Sequence, residues 1–259
     1  PTPEPLTREA LAGRLDHIEA LLSRGAHELD ERTSTLRGDL APAIGWARGG
    51  ELRWPVSVVV LLVVVMQMAL PAQYRLESRW LLAAGEVALL VAVTALNPHR
   101  IERPSLLVRT LGLTLLVLMS LANLDAVARL VYRLLTGTEG SDATALLLTG
   151  AAIWLVNVVI FALWYWEFDR GGPVTRATGK DPYLPDFLFA QMTTPEVASP
   201  TWRPTFLDYL YLSFTNATAF SPTDTLPLAR WAKLLMMLQS AVSLVTVALV
   251  IARAVNVLK

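Results

Sequence analysis

Glu86 sits inside an apolar run, six residues after Trp80 and about 9 Å down a helix axis. A carboxyl group at that depth is costly in hydrocarbon and marks a functional position by default. It is either protonated or paired with a group such as Arg109, Asn123 or Gln67, and a structural polar contact within its own helical unit is the plainer reading. Gln239, Ser243, Thr246, Val250 and Arg253 are spaced 4, 3, 4 and 3, which places them on one face of a helix. That face suits either a wet pore or hydrogen bonding between packed membrane helices, and Ala241, Ala248 and Ala252 fit tight packing equally well. Asp125 and Arg129 form an i,i+4 pair with Arg133 one turn on, which reads as snorkelling at an interface. Asn157 faces a neighbouring helix or the C-terminal hairpin. Glu167 and Asp169 form either an acidic mouth or a solvated helix end.

Other chemistries are excluded by composition. The 259 residues contain no cysteine, so disulfides, thiolate metal sites and cysteine nucleophiles are absent. His17, His27 and His99 are too few and too scattered for a zinc or iron site. Basic and acidic side chains balance at 22 each, which argues against a nucleic-acid partner. No conventional nucleophile–base or metal-ligand motif is present, and the membrane carboxylates are too dispersed to act as a pair. The expectation is a non-enzyme with no cofactor and no metal.

The elements that position these residues follow from hydropathy. The hydrophobic fraction is 54%, and 16 of the 44 charged side chains fall in residues 1–53. This segregation predicts a short polar tail and a membrane-embedded body. No cleavable signal is expected, because the first 53 residues lack a short apolar core. Five apolar segments are predicted to cross as helices: Trp54–Tyr74, Trp80–Asn97, Leu106–Leu135, Ala143–Trp166 and Leu234–Ala252. The fourth ends in an aromatic cluster suited to headgroup depth: Phe161, Trp164, Tyr165, Trp166 and Phe168. In the tail, Leu15, Leu22, Leu29 and Leu36 recur every seven residues with Leu11 and Ile18 beside them, and Thr7 is a candidate N-cap. Gly25 and Arg32 interrupt the second heptad position, leaving an amphipathic helix or a short coiled coil.

Three divisions result: a polar tail helix over 1–50, a three-helix unit over 51–135, and a hairpin over 136–259. In the hairpin, an outer helix at 143–168 leads to a linker at 169–204. Gly171–Gly172 and six prolines make this linker irregular. Phe187, Leu188, Phe189 and Met192 are expected to anchor its middle on the membrane surface. The next segment, 205–218, is apolar and aromatic but would span only about 21 Å as a helix, so it is predicted to dip into the membrane and stop. A turn-rich loop at 219–228 and a last helix at 229–257 follow. Non-helical backbone at membrane depth is tolerated only when buried in protein or lining a water-filled cavity.

At Asp208-Tyr-Leu-Tyr-Leu-Ser-Phe-Thr-Asn-Ala-Thr218 the sequence resembles the pore helix of the potassium-channel superfamily. Asp224 and Pro227 fall where that family has an acidic residue and a proline after its filter. The resemblance covers about the last 115 residues in architecture and implies a re-entrant pore-like helix in a fourfold pore; with the five predicted transmembrane helices and the amphipathic tail helix, the expected fold is an all-α integral membrane bundle. The family's Thr-Val-Gly-Tyr-Gly filter falls on Ala219-Phe220-Ser221-Pro222-Thr223. Both glycines are replaced, and Pro222 fixes its own φ near −65°, so strict potassium selectivity is not expected. What the resemblance leaves is a scaffold with Phe220 as a hydrophobic constriction and Thr215, Asn216, Thr218, Ser221, Thr223 and Asp224 as polar lining. Gln239, Ser243, Thr246 and Arg253 would line the conduit below. Implied partners are membrane lipids, small inorganic ions and three further copies of the chain. The chain is also similar to a group of uncharacterised bacterial integral membrane proteins with this aromatic fourth helix and hairpin, which implies a bacterial cell membrane but no activity. The other class of reading is a non-conducting scaffold that binds lipid or partner proteins.

Orientation is contested. Of the basic residues flanking the predicted spans, nine lie on the side of the N terminus (Arg48, Arg53, Arg100, Arg103, Arg109, Arg170, Arg176, Arg230 and Lys233) and six on the other (Arg75, Arg79, Arg129, Arg133, Arg253 and Lys259), a slight lean to a cytoplasmic N terminus. A channel-like hairpin opens its re-entrant loop outward, which points the other way.

Overall fold

A computed structural model describes residues 54–74, 79–96, 105–138, 142–178, 184–199, 202–218 and 224–257. All of them belong to the unit Trp46–Lys259. The tail helix over 1–50, the three histidines and the filter-equivalent residues Ala219, Phe220, Ser221, Pro222 and Thr223 lie outside the described residues.

The described residues form eight α-helices. In chain order they are α1 (Trp54–Ala69), α2 (Arg79–Leu96), α3 (Leu106–Thr136), α4 (Ala143–Phe168), α5 (Pro173–Thr178), α6 (Ala190–Thr193), α7 (Phe206–Thr218) and α8 (Arg230–Val257). Three of them, α3, α4 and α8, are long and apolar enough to cross a bilayer. The other two apolar helices, α1 and α2, are shorter, so the expected five full-length spans become three long helices and two short ones. At 16 residues, α1 is about 24 Å long, less than a hydrocarbon core of about 30 Å.

Local chemistry sets the helix ends. Ser105 caps α3 by accepting from Val108 N–H, and Gly137 closes it with a left-handed φ of 69°. Asp142 caps α4 through Ala145 N–H at 3.0 Å. At the start of α7, Asp208 reaches back to accept from Thr205 N–H at 2.7 Å and from its hydroxyl at 2.9 Å. This is the reciprocal half of a capping box, and it fixes where the chain re-enters helix. Past α4 the chain turns sharply through Gly171 and Gly172, both at positive φ. A Cβ at Gly172 would stand 2.8 Å from the Glu167 carbonyl oxygen, so the turn requires glycine on steric grounds as well.

The centre of the bundle is α4, which packs against α1, α3, α7 and α8. Its apolar stretch is 61% buried, against 33% for α3 and 28% for α8. This explains why its sequence is apolar all round rather than on one stripe. At one end, Leu70, Tyr74, Leu130, Leu134, Leu146 and Ile153 share a core with Val250 of α8. Gly150 makes the close approach of α4 to α8 there, because a Cβ on it would meet the Val250 methyls at 2.8 and 2.9 Å. Antiparallel α3 and α4 are tied by Trp164 Nε1 donating to Ser120 at 2.9 Å and by Asn123 donating to Asn157.

The connection at 169–204 departs from the expected irregular linker. It contains a 3₁₀ turn (Asp169–Gly171), α5, α6 and a two-residue strand β1 (Phe187–Leu188). This strand pairs antiparallel with β2 (Leu226–Pro227), Phe187 opposite Pro227 and Leu188 opposite Leu226. Phe187, Phe189 and Met192 are buried within the chain, so they do not anchor the linker on the membrane surface. Intrachain aromatic packing satisfies them instead.

Candidate functional site

The site of interest is the short helix α7 and the two helices that hold it, α4 and α8. Its first buried aromatic residues contact the end of α4: Tyr209 hydrogen-bonds Asp169, and the Phe206 ring meets Trp166 edge-on at 6.3 Å. Further along, Ser213 donates to the Val158 carbonyl, and Phe214 meets Trp154 edge-on at 5.7 Å. About 21 Å of helix axis separates Trp154 from Phe168 at 1.5 Å per residue. So α7 runs antiparallel to α4 from its end to near its middle and stops at Thr218. The chain is next described at Asp224, and β2 then returns it to β1 beside the end of α4.

Between these helices lies a buried polar network centred on Gln239. Its Oε1 accepts from the Tyr165 hydroxyl at 2.6 Å and from Asn216 Nδ2 at 2.8 Å. Its Nε2 donates to the Ser213 hydroxyl at 2.7 Å and to the Ser213 carbonyl at 3.0 Å. All donors and acceptors of this amide are thereby used. Asn216 also donates to the Met236 carbonyl, and Ser240 donates to Asn216. One turn deeper, Asn157 accepts from Asn123 and donates to Ser243, so a chain of polar contacts links α3, α4 and α8.

These contacts decide where the polar face of α8 points. Gln239, Ser243 and Thr246 are 0%, 1% and 2% exposed. A pore-lining face would be left uncovered in a single chain, but this one is covered by α4 and α7. Gln239 and Ser243 hydrogen-bond to neighbouring helices, the packing alternative for this face, while the Thr246 hydroxyl donates to the Val242 carbonyl of α8 itself. Arg253 is half-buried, with its Nε unpartnered. What α8 presents outward is apolar: Leu234, Met237, Leu244, Ile251 and Val255 are each about half exposed or more. Of the other lining candidates, Thr215, Asn216 and Thr218 are half-buried on the last turn of α7 and Asp224 is exposed. Thr215 and Thr218 hydroxyls donate to carbonyls within their own helix.

Above the network, Asp169 and Asp186 fasten the end of α4, the connection after it, α7 and α8 together. Asp169 is fully buried, which corrects both its acidic-mouth and its solvated-end reading. Its Oδ2 accepts from Tyr209 at 2.6 Å, and its Oδ1 accepts from the backbone N–H of Asp186 at 3.0 Å. Asp186 in turn accepts from Arg170 N–H at 2.8 Å and from Trp231 Nε1 at 3.1 Å. Arg170 adopts φ 51°, and its Nε lies 3.7 Å from Asp169. Arg176 donates to the Trp166 and Asp169 carbonyls and lies over the rings of Trp166 and Tyr209. Phe187 is wedged among Tyr165, Tyr209 and Trp231. Sequence reasoning missed this cap. Its one visible signal is Gly171–Gly172, where the chain doubles back far enough for the linker to meet the helix it has just left.

Glu86 is 1% exposed, with Oε1 unpartnered. Of the partners considered for it, only Gln67 lines the same small cavity, of about 30 Å³, and Gln67 Oε1 is likewise unpartnered. Asn123 is engaged with Asn157, and Arg109 lines a different cavity. Asp125 and Arg129 form the expected ion pair at 2.7 Å.

Comparison with family models, with curated proteins and with solved structures returns no match.

Proposed function

We propose that the protein is an oligomeric, ion-channel-like membrane protein whose re-entrant hairpins meet at a shared centre. The supporting observation is the descent of α7 along α4 to mid-helix, followed by a return through the β1–β2 pairing. A helix that stops halfway across hydrocarbon strands its following backbone at depth, which calls for burial against protein or access to water. Symmetry mates packed around the outward face of α8 supply that burial, and four copies is the number the resemblance implies. All five apolar helices then belong to the membrane, with α1 and α2 accommodated by local thinning or by residues flanking them. Residues 219–224 set access to the conduit, and substitution of both filter glycines makes it non-selective for potassium.

Reconstitution in liposomes tests the reading directly. Cation or anion flux above that of empty vesicles is the expected result, without strong preference for potassium over sodium. Absence of flux for every small ion, across several pH values and potentials, overturns it.

A second reading is favoured by the inward-turned Gln239 face. With its polar residues committed to α4 and α7 and only apolar side chains outside, α8 also suits a non-conducting scaffold that binds lipid or partner proteins. A structure of the assembled oligomer separates the two, by a continuous wet path or by an axis filled with side chains or lipid.

A further inference from the structure

A further cavity lies outside both the α7–α8 hairpin and the Glu86 pocket. It has a volume of about 260 Å³ and is bounded by α1, α2, α3, the end of α4 and the start of α5. Its walls are apolar, with Val60, Leu90, Val93, Leu115, Leu116 and Met119 among them. Along α3 the lining runs from Ser105 to Met119, about 21 Å at 1.5 Å per residue. The lining thus follows α3 for about four turns. Gly112 faces open space within the cavity, since a Cβ there would meet nothing within 4 Å.

Polarity is confined to one end. Arg109 and Glu167 both line the cavity, beside the Gly171–Gly172 turn and Thr175. Trp166, from the aromatic cluster that belongs at headgroup depth, marks the level of this mouth. Arg109 is exposed; its backbone N–H bonds the Ser105 carbonyl, and its guanidinium makes no hydrogen bond or ion pair to another described residue. An apolar slot running into the membrane, with a cation and a carboxylate at its interfacial mouth, has the charge layout of a zwitterionic phospholipid.

We propose that this cavity is a specific site for one acyl chain of a phosphatidylethanolamine-type lipid, with the phosphate on Arg109 and the ammonium toward Glu167. A purely anionic headgroup would set its charge against Glu167, so the carboxylate supplies selectivity as well as attraction. The acyl chain fills space that packed side chains leave empty, and the lipid thereby braces the α1–α3 unit against α4. This site is independent of conduction through the hairpin.

The test is native mass spectrometry of the full chain, purified in mild detergent and titrated with phosphatidylethanolamine, phosphatidylcholine or phosphatidylglycerol. The expected result is one ethanolamine lipid retained per chain, more strongly than either competitor. Arg109→Gln, an exposed change that leaves the core intact, is expected to weaken retention about tenfold, the scale of one charge-assisted hydrogen bond. Gly112→Leu is expected to abolish retention by filling the slot. A Glu167→Gln chain is expected to lose discrimination against phosphatidylglycerol. Equal retention by wild type and both Arg109→Gln and Gly112→Leu, or a preference for phosphatidylglycerol in wild type, overturns the proposal.

Discussion

Gln239 shows how one side chain decides the meaning of a whole face. Its amide uses both N–H groups and its oxygen within the chain, on Ser213, Tyr165 and Asn216. Leucine is close in volume but would remove the Gln239 acceptor of the Tyr165 hydroxyl and one partner each of Asn216 and Ser213. Gln239→Leu is therefore expected to destabilise the protein by about 2–3 kcal/mol, and Tyr165→Phe by about 1 kcal/mol, in reversible unfolding from mixed micelles. The double variant should cost less than the sum, because both remove the same hydrogen bond. Asp169 makes the equivalent case in the cap. Asp169→Ala leaves Tyr209, two backbone N–H groups and the Arg170 guanidinium without their carboxylate, for an expected loss of about 3–5 kcal/mol. Trp231→Phe keeps ring contact with Phe187 and removes only the bond to Asp186, so about 1 kcal/mol is expected in the same assay.

Among the elements, α4 carries the architecture. It is the most buried of the three long helices, it guides α7 to its own midpoint, and its Gly150 allows α8 to approach closely. Gly150→Leu would force a side chain into Val250 and push α4 and α8 apart. An overpacking loss of about 1–3 kcal/mol is expected, read as earlier thermal unfolding together with a changed cross-linking pattern between cysteines introduced on α4 and α8. The periodicity of α8 was readable from sequence, but the side toward which it turned was not. A polar stripe in a membrane helix satisfies its hydrogen bonds equally well against water or against other helices, and only the positions of Ser213, Asn216 and Tyr165 selected the second. The linker was harder to read, because Phe187, Phe189 and Met192 have no periodic pattern. Their burial depends on a contact with Tyr209 and Trp231, both distant in sequence.

For the whole molecule, the exposed side of α8 is too apolar for water and consists of side chains that either lipid or another copy can cover. If copies meet there, Leu244→Asp places a charge in the contact, and light scattering in detergent should show a smaller assembly than wild type. In the proposed conduit Phe220 provides the constriction. Phe220→Ala is expected to raise flux several-fold in liposomes, while unfolding stability stays within about 1 kcal/mol of wild type.

Hydropathy alone made the helical class, the three long apolar helices and the shortness of the 205–218 segment legible. These follow from bilayer thickness and from the backbone's demand for hydrogen bonds, both of which act locally along a chain. Tertiary structure decided which faces meet: that the Gln239 stripe turns inward, that Asp169 is buried in a cap, and that an apolar cavity opens beside Arg109. Those outcomes depend on residues tens of positions apart reaching hydrogen-bond distance, and no local pattern specifies such a meeting.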